Sequence, residues 1–189
     1  MTTTPTAPAT LADLSGTYTF DPAHTRIGFV ARHAMVTKVR GAFNEFEGSV
    51  VVDGTDLAAS KVTLTIQAAS IDTRNEQRDA HLRSNDFVAM DEFPQITFVS
   101  SGVTVVDETT YELSGDLTIK GVTKPITIPF TFEGAAQDPF GNQRIGFDGS
   151  VTISRKDYGL TWNAALETGG VLVSDKIVLE FEVSAIKNA

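Results

Sequence analysis

The sequence predicts an all-β fold, and three observations support this prediction. Several segments alternate apolar and polar residues with a period of two, which places one face of a strand on a core and the other in water. Turn-forming pairs such as Asp53-Gly54 and Gly169-Gly170 separate these segments. Residues 73–93 break the alternation and have a helix-like composition. A chain of 189 residues with this pattern is expected to form one β-rich domain.

The alternating segments define the predicted strands, and in each of them the apolar residues share one face. These faces comprise Ile27, Phe29 and Ala31; Val62, Leu64, Ile66 and Ala68; Tyr111, Leu113, Leu117 and Ile119; Ile126, Ile128, Phe130 and Phe132; Ile145, Phe147, Val151 and Ile153; and Ile177, Leu179, Phe181 and Val183. About eight or more such strands need a closed barrel or a two-layer sandwich, because an open sheet would expose its edges and an apolar face. The pattern is compatible with both architectures.

Residues 73–93 are predicted to form one or two short helices that join two strands. The run Thr73–Glu76 matches a capping box, and Pro94 ends the segment before a strand over residues 95–101. Leu82 and Phe87 are among the apolar residues that would lay these helices across the β-structure.

The termini and the composition restrict the class of protein. Residues 1–13 are expected to form a flexible tail, since Thr, Ala and Pro bury little apolar surface, and residues 14–189 are expected to form the domain. The first residues lack the basic and apolar regions of a secretory signal, so a cytoplasmic location is expected. No apolar run is long enough to span a bilayer as a helix, which predicts a soluble protein without an integral membrane segment.

Charge and cysteine content exclude further classes of function. The formal net charge of −9 would repel phosphate backbones, so nucleic acid is not an expected partner. The chain has no cysteine, which excludes disulfides, thiolate nucleophiles and Cys-ligated zinc. His24, His33 and His81 lack the close spacing of a metal motif and are interpreted as solvated or hydrogen-bonded side chains. No metal site, cofactor or catalytic residue is predicted.

Ordered motifs along the chain resemble those of the YceI-like family. They cover roughly residues 15–187. The matching motifs are Asp21–Thr25, Val39–Phe43, Phe46-x-Gly48, Ser70–Thr73, Arg78-Asp79-x-His81-Leu82, Asp86-Phe87, Phe93-Pro94-x-Ile96-x-Phe98-x-Ser100, Gly115-x-Leu117-Thr118-Ile119-x-Gly121-Val122-Thr123-Lys124 and Ile153–Gly159.

The resemblance implies an extended, antiparallel, lipocalin-like β-barrel that binds a long amphiphile in its pore without catalysis. The implied ligand is a polyisoprenoid, such as a polyprenyl phosphate or an isoprenoid quinone, and a homodimer is an open alternative to a monomer. The resemblance also indicates that the inward-facing residues line a pore and do not simply fill the barrel. The predicted pore residues are Ile27, Phe29, Phe43, Phe46, Ile66, Phe87, Phe98, Leu117, Ile119, Phe130, Phe132, Phe147, Trp162 and Phe181.

Four polar residues are candidates for a gate that holds the polar end of the ligand: His33, Arg78, Asp79 and His81. Arg78 and Leu82 are four residues apart and would share a helix face, which sets a cation beside an apolar contact. Arg78 and Asp79 could instead tie the helix to neighbouring strands. Two other functions stay open, namely a small-molecule isomerase or hydrolase that uses His33 with Asp79, and a stress-response barrel with a filled core.

Overall fold

A computed structural model describes residues 10–189, and its strands close into an antiparallel barrel. The strands are β1 (Gly16–Phe20), β2 (Arg26–His33), β3 (Thr37–Phe43), β4 (Phe46–Val52), β5 (Lys61–Gln67), β6 (Ile71–Asp72), β7 (Gln95–Val105), β8 (Thr110–Ile119), β9 (Val122–Gln137), β10 (Gln143–Ser154) and β11 (Lys176–Lys187). The helix α1 covers Glu76–Arg83, and short 3-10 helices cover Leu11–Asp13, Leu57–Ala59, Ala68–Ser70 and Arg155–Tyr158. The predicted all-β class is confirmed.

Strand β11 closes the barrel because its two halves pair with different strands. Its first half, Val178–Glu182, pairs with β2, and its second half, Ala185–Lys187, pairs with β1. The closed barrel has eight strands in the order β1-β4-β5-β7-β8-β9-β10-β11, and β2, β3 and β6 extend the sheet from β11. Closure decides between the two predicted architectures in favour of the barrel.

The alternation of residue types places the predicted faces where expected. In β8, Tyr111, Leu113 and Leu117 are buried, whereas Glu112 and Asp116 are exposed. This is the outcome of burying apolar surface against a core while leaving carboxylates in water. The face of β8 that points into the barrel is therefore apolar.

One short helix, α1, forms within the predicted segment 73–93, as expected, but its N-cap differs from the predicted one. α1 ends at Arg83, and residues 84–93 form turns. The N-cap is Asn75, whose Oδ1 accepts a hydrogen bond from the Arg78 N–H at 2.9 Å. The predicted capping box at Thr73 is wrong, because Thr73 is buried and its N–H and hydroxyl both donate to the Asp79 carboxylate.

The N-terminal boundary also differs from the prediction. Residues 1–9 of the predicted tail lie outside the described residues, but residues 10–13 are ordered against the barrel. Leu11 and Leu14 are buried, and the Tyr18 hydroxyl donates to the Leu14 carbonyl at 2.9 Å. These leucines supply the apolar surface that covers one barrel end. The Thr/Ala/Pro composition of the preceding residues gave no indication of this contact.

An ion-pair network at the same barrel end joins two connections. Arg144 on β10 donates from Nη1 to Asp21 at 2.7 Å and from Nε to Asp138 at 2.9 Å. The hydrogen bond from Arg144, followed by that from His24, lowers the pKa of Asp21 to about 2. The pKa of Asp138 is also lowered, first by the hydrogen bonds from the Asn142 side chain and backbone and then by the one from Arg144.

We expect Arg144→Met to lower the free energy of unfolding at neutral pH. The unfolding free energy of the variant should also change less with pH in the acidic range than that of the parent. A carboxylate with a lowered folded-state pKa stabilises the fold above its unfolded pKa of 3.8, and this contribution is lost as pH falls toward about 2. The difference between variant and parent should therefore shrink between about pH 4 and about pH 2. Urea unfolding across this range measures it, with Lys61→Met as a control. A constant difference would contradict the network's role.

Candidate functional site

The barrel encloses an apolar cavity of about 170 Å³. Strands from all sides of the barrel line it, and Leu82 of α1 and Phe87 of the following turn close part of one end. Ten of the predicted pore residues lie on its wall. They are Ile27, Phe29, Phe43, Ile66, Phe87, Phe98, Leu117, Ile119, Phe130 and Phe181.

A second apolar cavity of about 80 Å³ lies toward the barrel end that Leu11 covers. Five side chains line both cavities and form the partition between them: Phe20, Val62, Leu113, Phe130 and Val183. Voids lined by aliphatic and aromatic side chains stay dry and take up apolar molecules. Movement of the partition side chains would join the two cavities into a longer tunnel.

Four predicted pore residues lie elsewhere than the main cavity wall. Phe147 lines the second cavity, and Phe132 packs on it with ring centroids 5.5 Å apart, beside the register shift between β9 and β10. Phe46 is buried but lines neither cavity. Trp162 packs against His81 and Phe87, with ring centroids 4.6 and 5.5 Å away. Parity along a strand could not anticipate the bulge or the position of Trp162 outside any strand.

Arg78 and Asp79 are bound to Thr73 and do not line either cavity. Arg78 donates from Nε to the Thr73 hydroxyl and from Nη2 to the Thr73 carbonyl, each at 2.7 Å. The Asp79 carboxylate accepts from the Thr73 N–H at 2.9 Å. These bonds fix α1 to the segment that follows β6, which is the structural role that the sequence left open.

The two predicted gate histidines also lie outside the cavity walls. His33 is exposed at the end of β2, where its backbone bridges to Val173. The His81 Nε2 atom lies 2.8 Å from the Asp86 carboxylate, and the ring meets Phe87 edge-on. Within residues 10–189 no hydrogen bond joins His33 to Asp79, so the pair proposed for the enzyme alternative is not assembled.

Arg155 is a cavity-lining residue that sequence analysis missed. Its side chain is 3% exposed, and its guanidinium donates to the carbonyls of Leu160, Trp162, Val173 and Ser174 at 2.6 to 3.2 Å. No carboxylate of the described residues lies within ion-pair distance, and burial lowers its pKa. Arg155 therefore fastens the long connection between β10 and β11 over one end of the cavity.

Tyr158 is the second missed residue, and its hydroxyl is unpaired. The side chain is 2% exposed and lines the cavity, yet no group of the described residues hydrogen-bonds to the hydroxyl. Burial raises the pKa of Tyr158, so the hydroxyl is a neutral donor at physiological pH. An unsatisfied buried polar group costs about 1–3 kcal/mol. The motif Ile153–Gly159 was the available signal, but Arg155 and Tyr158 lie in the 3-10 helix Arg155–Tyr158, where strand parity does not apply.

A metal site and a membrane-spanning helix are both absent from the part of the chain that the structure describes. No group of three or more His, Asp or Glu side chains there is arranged to hold a metal ion. Among the same residues, no helix has the length and apolar character that crossing a bilayer requires.

Comparison with known proteins gives a consistent result. The family model for the YceI-like domain matches residues 18–185. A UPF0312 protein of Staphylococcus aureus strain MSSA476 is 43% identical over 169 residues, which cover 89% of this chain and 95% of that protein.

Solved structures share the fold. The crystal structure of BcnA from Burkholderia cenocepacia has a TM-score of 0.77 at 26% identity and covers 87% of this chain and 98% of its own. The YCEI protein of Campylobacter jejuni has a TM-score of 0.72 at 30% identity, with 84% and 90% covered. A polyisoprenoid binding domain from Saccharophagus degradans has a TM-score of 0.70 at 17% identity, with 90% and 98% covered.

Proposed function

The chain belongs to the YceI-like domain family, and from this premise we propose that it binds a long-chain polyisoprenoid in its barrel without catalysing a reaction on it. One observation carries the proposal: the barrel holds an apolar cavity, and one of its lining residues, Tyr158, has a buried hydroxyl that no group of the described residues pairs. The description of the Saccharophagus degradans domain as polyisoprenoid-binding supports the choice of ligand. An open cavity also argues against a barrel with a filled core. A cytoplasmic location and a homodimer stay predictions.

The apolar wall provides most of the binding free energy. Burial of each methylene-sized group from water contributes about 0.8 kcal/mol, so a chain of several isoprene units binds tightly without polar contacts. The main cavity alone has room for only part of such a chain. A longer ligand therefore occupies both cavities and displaces the partition side chains Phe20 and Phe130.

The polar residues on the wall favour a neutral oxygen as the ligand's head group. Arg155 has five N–H donors and uses four of them on backbone carbonyls, which leaves one. A phosphate brought out of water needs several donors and a charge partner to offset its desolvation. The Tyr158 hydroxyl matches the single acceptor of a prenol hydroxyl or a quinone carbonyl. We accordingly propose a prenol or a quinone over a prenyl phosphate.

Tyr158→Phe tests this head-group assignment because it removes only the hydroxyl. Loss of one hydrogen bond of about 1 kcal/mol should weaken binding of a prenol about fivefold. A polyisoprene hydrocarbon of the same carbon number should bind the variant as well as the parent or better, since no hydroxyl is left unpaired. Native mass spectrometry and competition with a fluorescent lipid measure both affinities.

Different failures of this experiment have different meanings. Equal effects of Tyr158→Phe on the two ligands would contradict the assigned head-group contact and leave the apolar cavity as the binding site. Tighter binding of a prenyl phosphate than of the prenol would assign an anionic head. Absence of binding of all three ligands to the parent protein would overturn the proposed function.

A further inference from the structure

The hairpin between β2 and β3 presents two apolar side chains to solvent at its tip. Ala34 and Met35 adopt left-handed backbone conformations with φ of 50° and 64°, and the Val36 N–H donates to the His33 carbonyl at 3.1 Å. This tight turn leaves Met35 60% and Val36 76% exposed. Neither side chain contributes to the core, so the fold does not explain why both positions are apolar.

Two exposed cations lie at the base of this tip without carboxylate partners, and the adjoining turn, whose Gly170 lies against Met35, carries the exposed Glu167. Arg32 and Lys38 are directly opposite each other in the β2–β3 ladder, and both are exposed. Like charges in opposite positions destabilise a strand pair. Neither side chain forms an ion pair with any residue in 10–189, and the exposed Lys176 begins the neighbouring strand. An anionic partner would offset the repulsion between these side chains.

The tip lies at the end of the main cavity. Ala31 of β2 and Val173 line that cavity, and Val173 bridges to His33 two residues before Met35. The Ala34 N–H donates to the Leu172 carbonyl at 2.8 Å, which ties the hairpin to the connection before β11. A surface that contacts Met35 and Val36 therefore lies next to the walls of the ligand cavity.

The opposite end of the barrel provides a contrast. Phe140 is 89% exposed there, but the β7–β8 turn at this end carries Asp107 and Glu108, which form no ion pair with any residue in 10–189. Asp138, in the turn of Phe140, is paired with Arg144. An anionic surface would be repelled by this end and attracted by the cations at the β2–β3 tip. Charge thus distinguishes the two exposed apolar sites, although Phe140 is the more exposed of them.

We propose that the β2–β3 tip docks on an anionic lipid bilayer. Met35 and Val36 enter the interface between headgroups and acyl chains, and Arg32, Lys38 and Lys176 contact the anionic headgroups. A convex tip of two apolar side chains is too small for a stable protein interface, which buries about 800 Å² on each partner. A fluid bilayer can surround such a tip. Docking places the cavity end against the source of lipid, and it does not depend on which ligand the cavity takes.

Flotation with vesicles tests the proposal on the full chain. Vesicles of phosphatidylcholine alone are compared with vesicles that also contain phosphatidylglycerol. The parent should bind only the anionic vesicles at low salt, and added salt should weaken binding. Arg32→Gln with Lys38→Gln should reduce the partition coefficient about fivefold for each cation removed. Met35→Ser with Val36→Ser should reduce it by about tenfold through lost apolar insertion.

Phe140→Ser is the matched control, since it removes the most exposed apolar side chain from the acidic end. It should bind vesicles like the parent. The proposal would be overturned by equal binding of the parent to both vesicle types, by undiminished binding of either tip variant, or by loss of binding in Phe140→Ser. Self-association of the parent that Met35→Ser with Val36→Ser abolishes would instead assign the tip to a second copy of the chain, and would also overturn it. Circular dichroism checks that each variant folds.

Discussion

Val62→Trp is expected to abolish binding of long-chain lipid by a barrel that still folds. Val62 lines both cavities and belongs to the partition between them. An indole at this position would occupy void volume on either side and prevent a chain from passing. Overpacking of a filled core costs about 1–3 kcal/mol, but the adjacent voids accommodate much of the added volume. If the indole excludes about five methylene-sized groups of the ligand, binding weakens by about 4 kcal/mol, or about a thousandfold.

Val99→Trp on β7 is the matched control, because Val99 carries the same side chain on an exposed outer face. Both variants are loaded with the same prenol, and native mass spectrometry gives the fraction of protein that carries it. Val62→Trp should remain empty, while Val99→Trp should load like the parent. Full loading of a folded Val62→Trp variant would contradict a tunnel that runs through the partition.

The sequence predicted the strand faces well because their physical cause is local. A residue's side of a strand follows from its position, so the alternation by itself assigns Leu113 and Leu117 to the interior and Glu112 to the exterior. Closure of the barrel was not predictable in this way. It depends on β11 changing partner between Glu182 and Ala185, and pairing over such sequence distances leaves no periodic signal.

Sites outside the strands were predicted less well, for a common reason. Asn75 caps α1 instead of Thr73, since the Asp79 carboxylate competes for the Thr73 N–H and hydroxyl. Arg78 looked like a gate residue because charged residues in a helical interruption suggest function. Its Nε and Nη2 atoms donate to Thr73, which ties α1 to the segment after β6, and its role as a gate residue stays a prediction. Such competition between partners is tertiary and cannot be read from spacing.

Arg155 was missed by the sequence analysis for the same reason, namely that its environment is formed by tertiary contacts. A basic residue beside Lys156 and Asp157 suggests a solvated turn, whereas the structure buries it. Its environment is built by residues 160–174, a segment without alternation or regular structure whose carbonyls turn toward the guanidinium. Only the family motif that contains Arg155 marks the position in the sequence.

Arg155→Met is expected to be among the most destabilising single substitutions in this chain. Methionine fills a similar volume but donates no hydrogen bond, so four carbonyls lose their donor. A hydrogen bond from a charged donor contributes about 1.5–3 kcal/mol, so losing four costs several kcal/mol even after the desolvation cost of the buried charge is relieved. Arg155→Lys should recover part of the loss, because an ammonium group supplies three donors but lacks the planar fork that reaches several carbonyls at once.

Arg83→Met is the control, because Arg83 also donates hydrogen bonds to backbone carbonyls but lies nearer the surface. Arg83 donates to the carbonyls of Ala69 and Ile71, but its side chain is only partly buried. Its loss should cost about 1 kcal/mol in urea unfolding, well below the loss for Arg155→Met. Hydrogen exchange gives a second readout: in Arg155→Met, the amides of Ala164 and Val173 should lose protection while those of β8 keep it under native conditions.

The two readouts together separate a local role from a global one. Leu160 and Val173 line the cavity, so release of the 160–174 segment would open one cavity end as well as weaken the fold. In that case Arg155→Met should release prenol faster than Arg83→Met even at temperatures where both variants remain folded. The opposite result would be equal unfolding free energies for the two variants and unchanged hydrogen exchange at Ala164 and Val173. It would show that water replaces the guanidinium as the donor to these carbonyls without a loss of stability. Arg155 would then have no particular role in holding the cavity end closed.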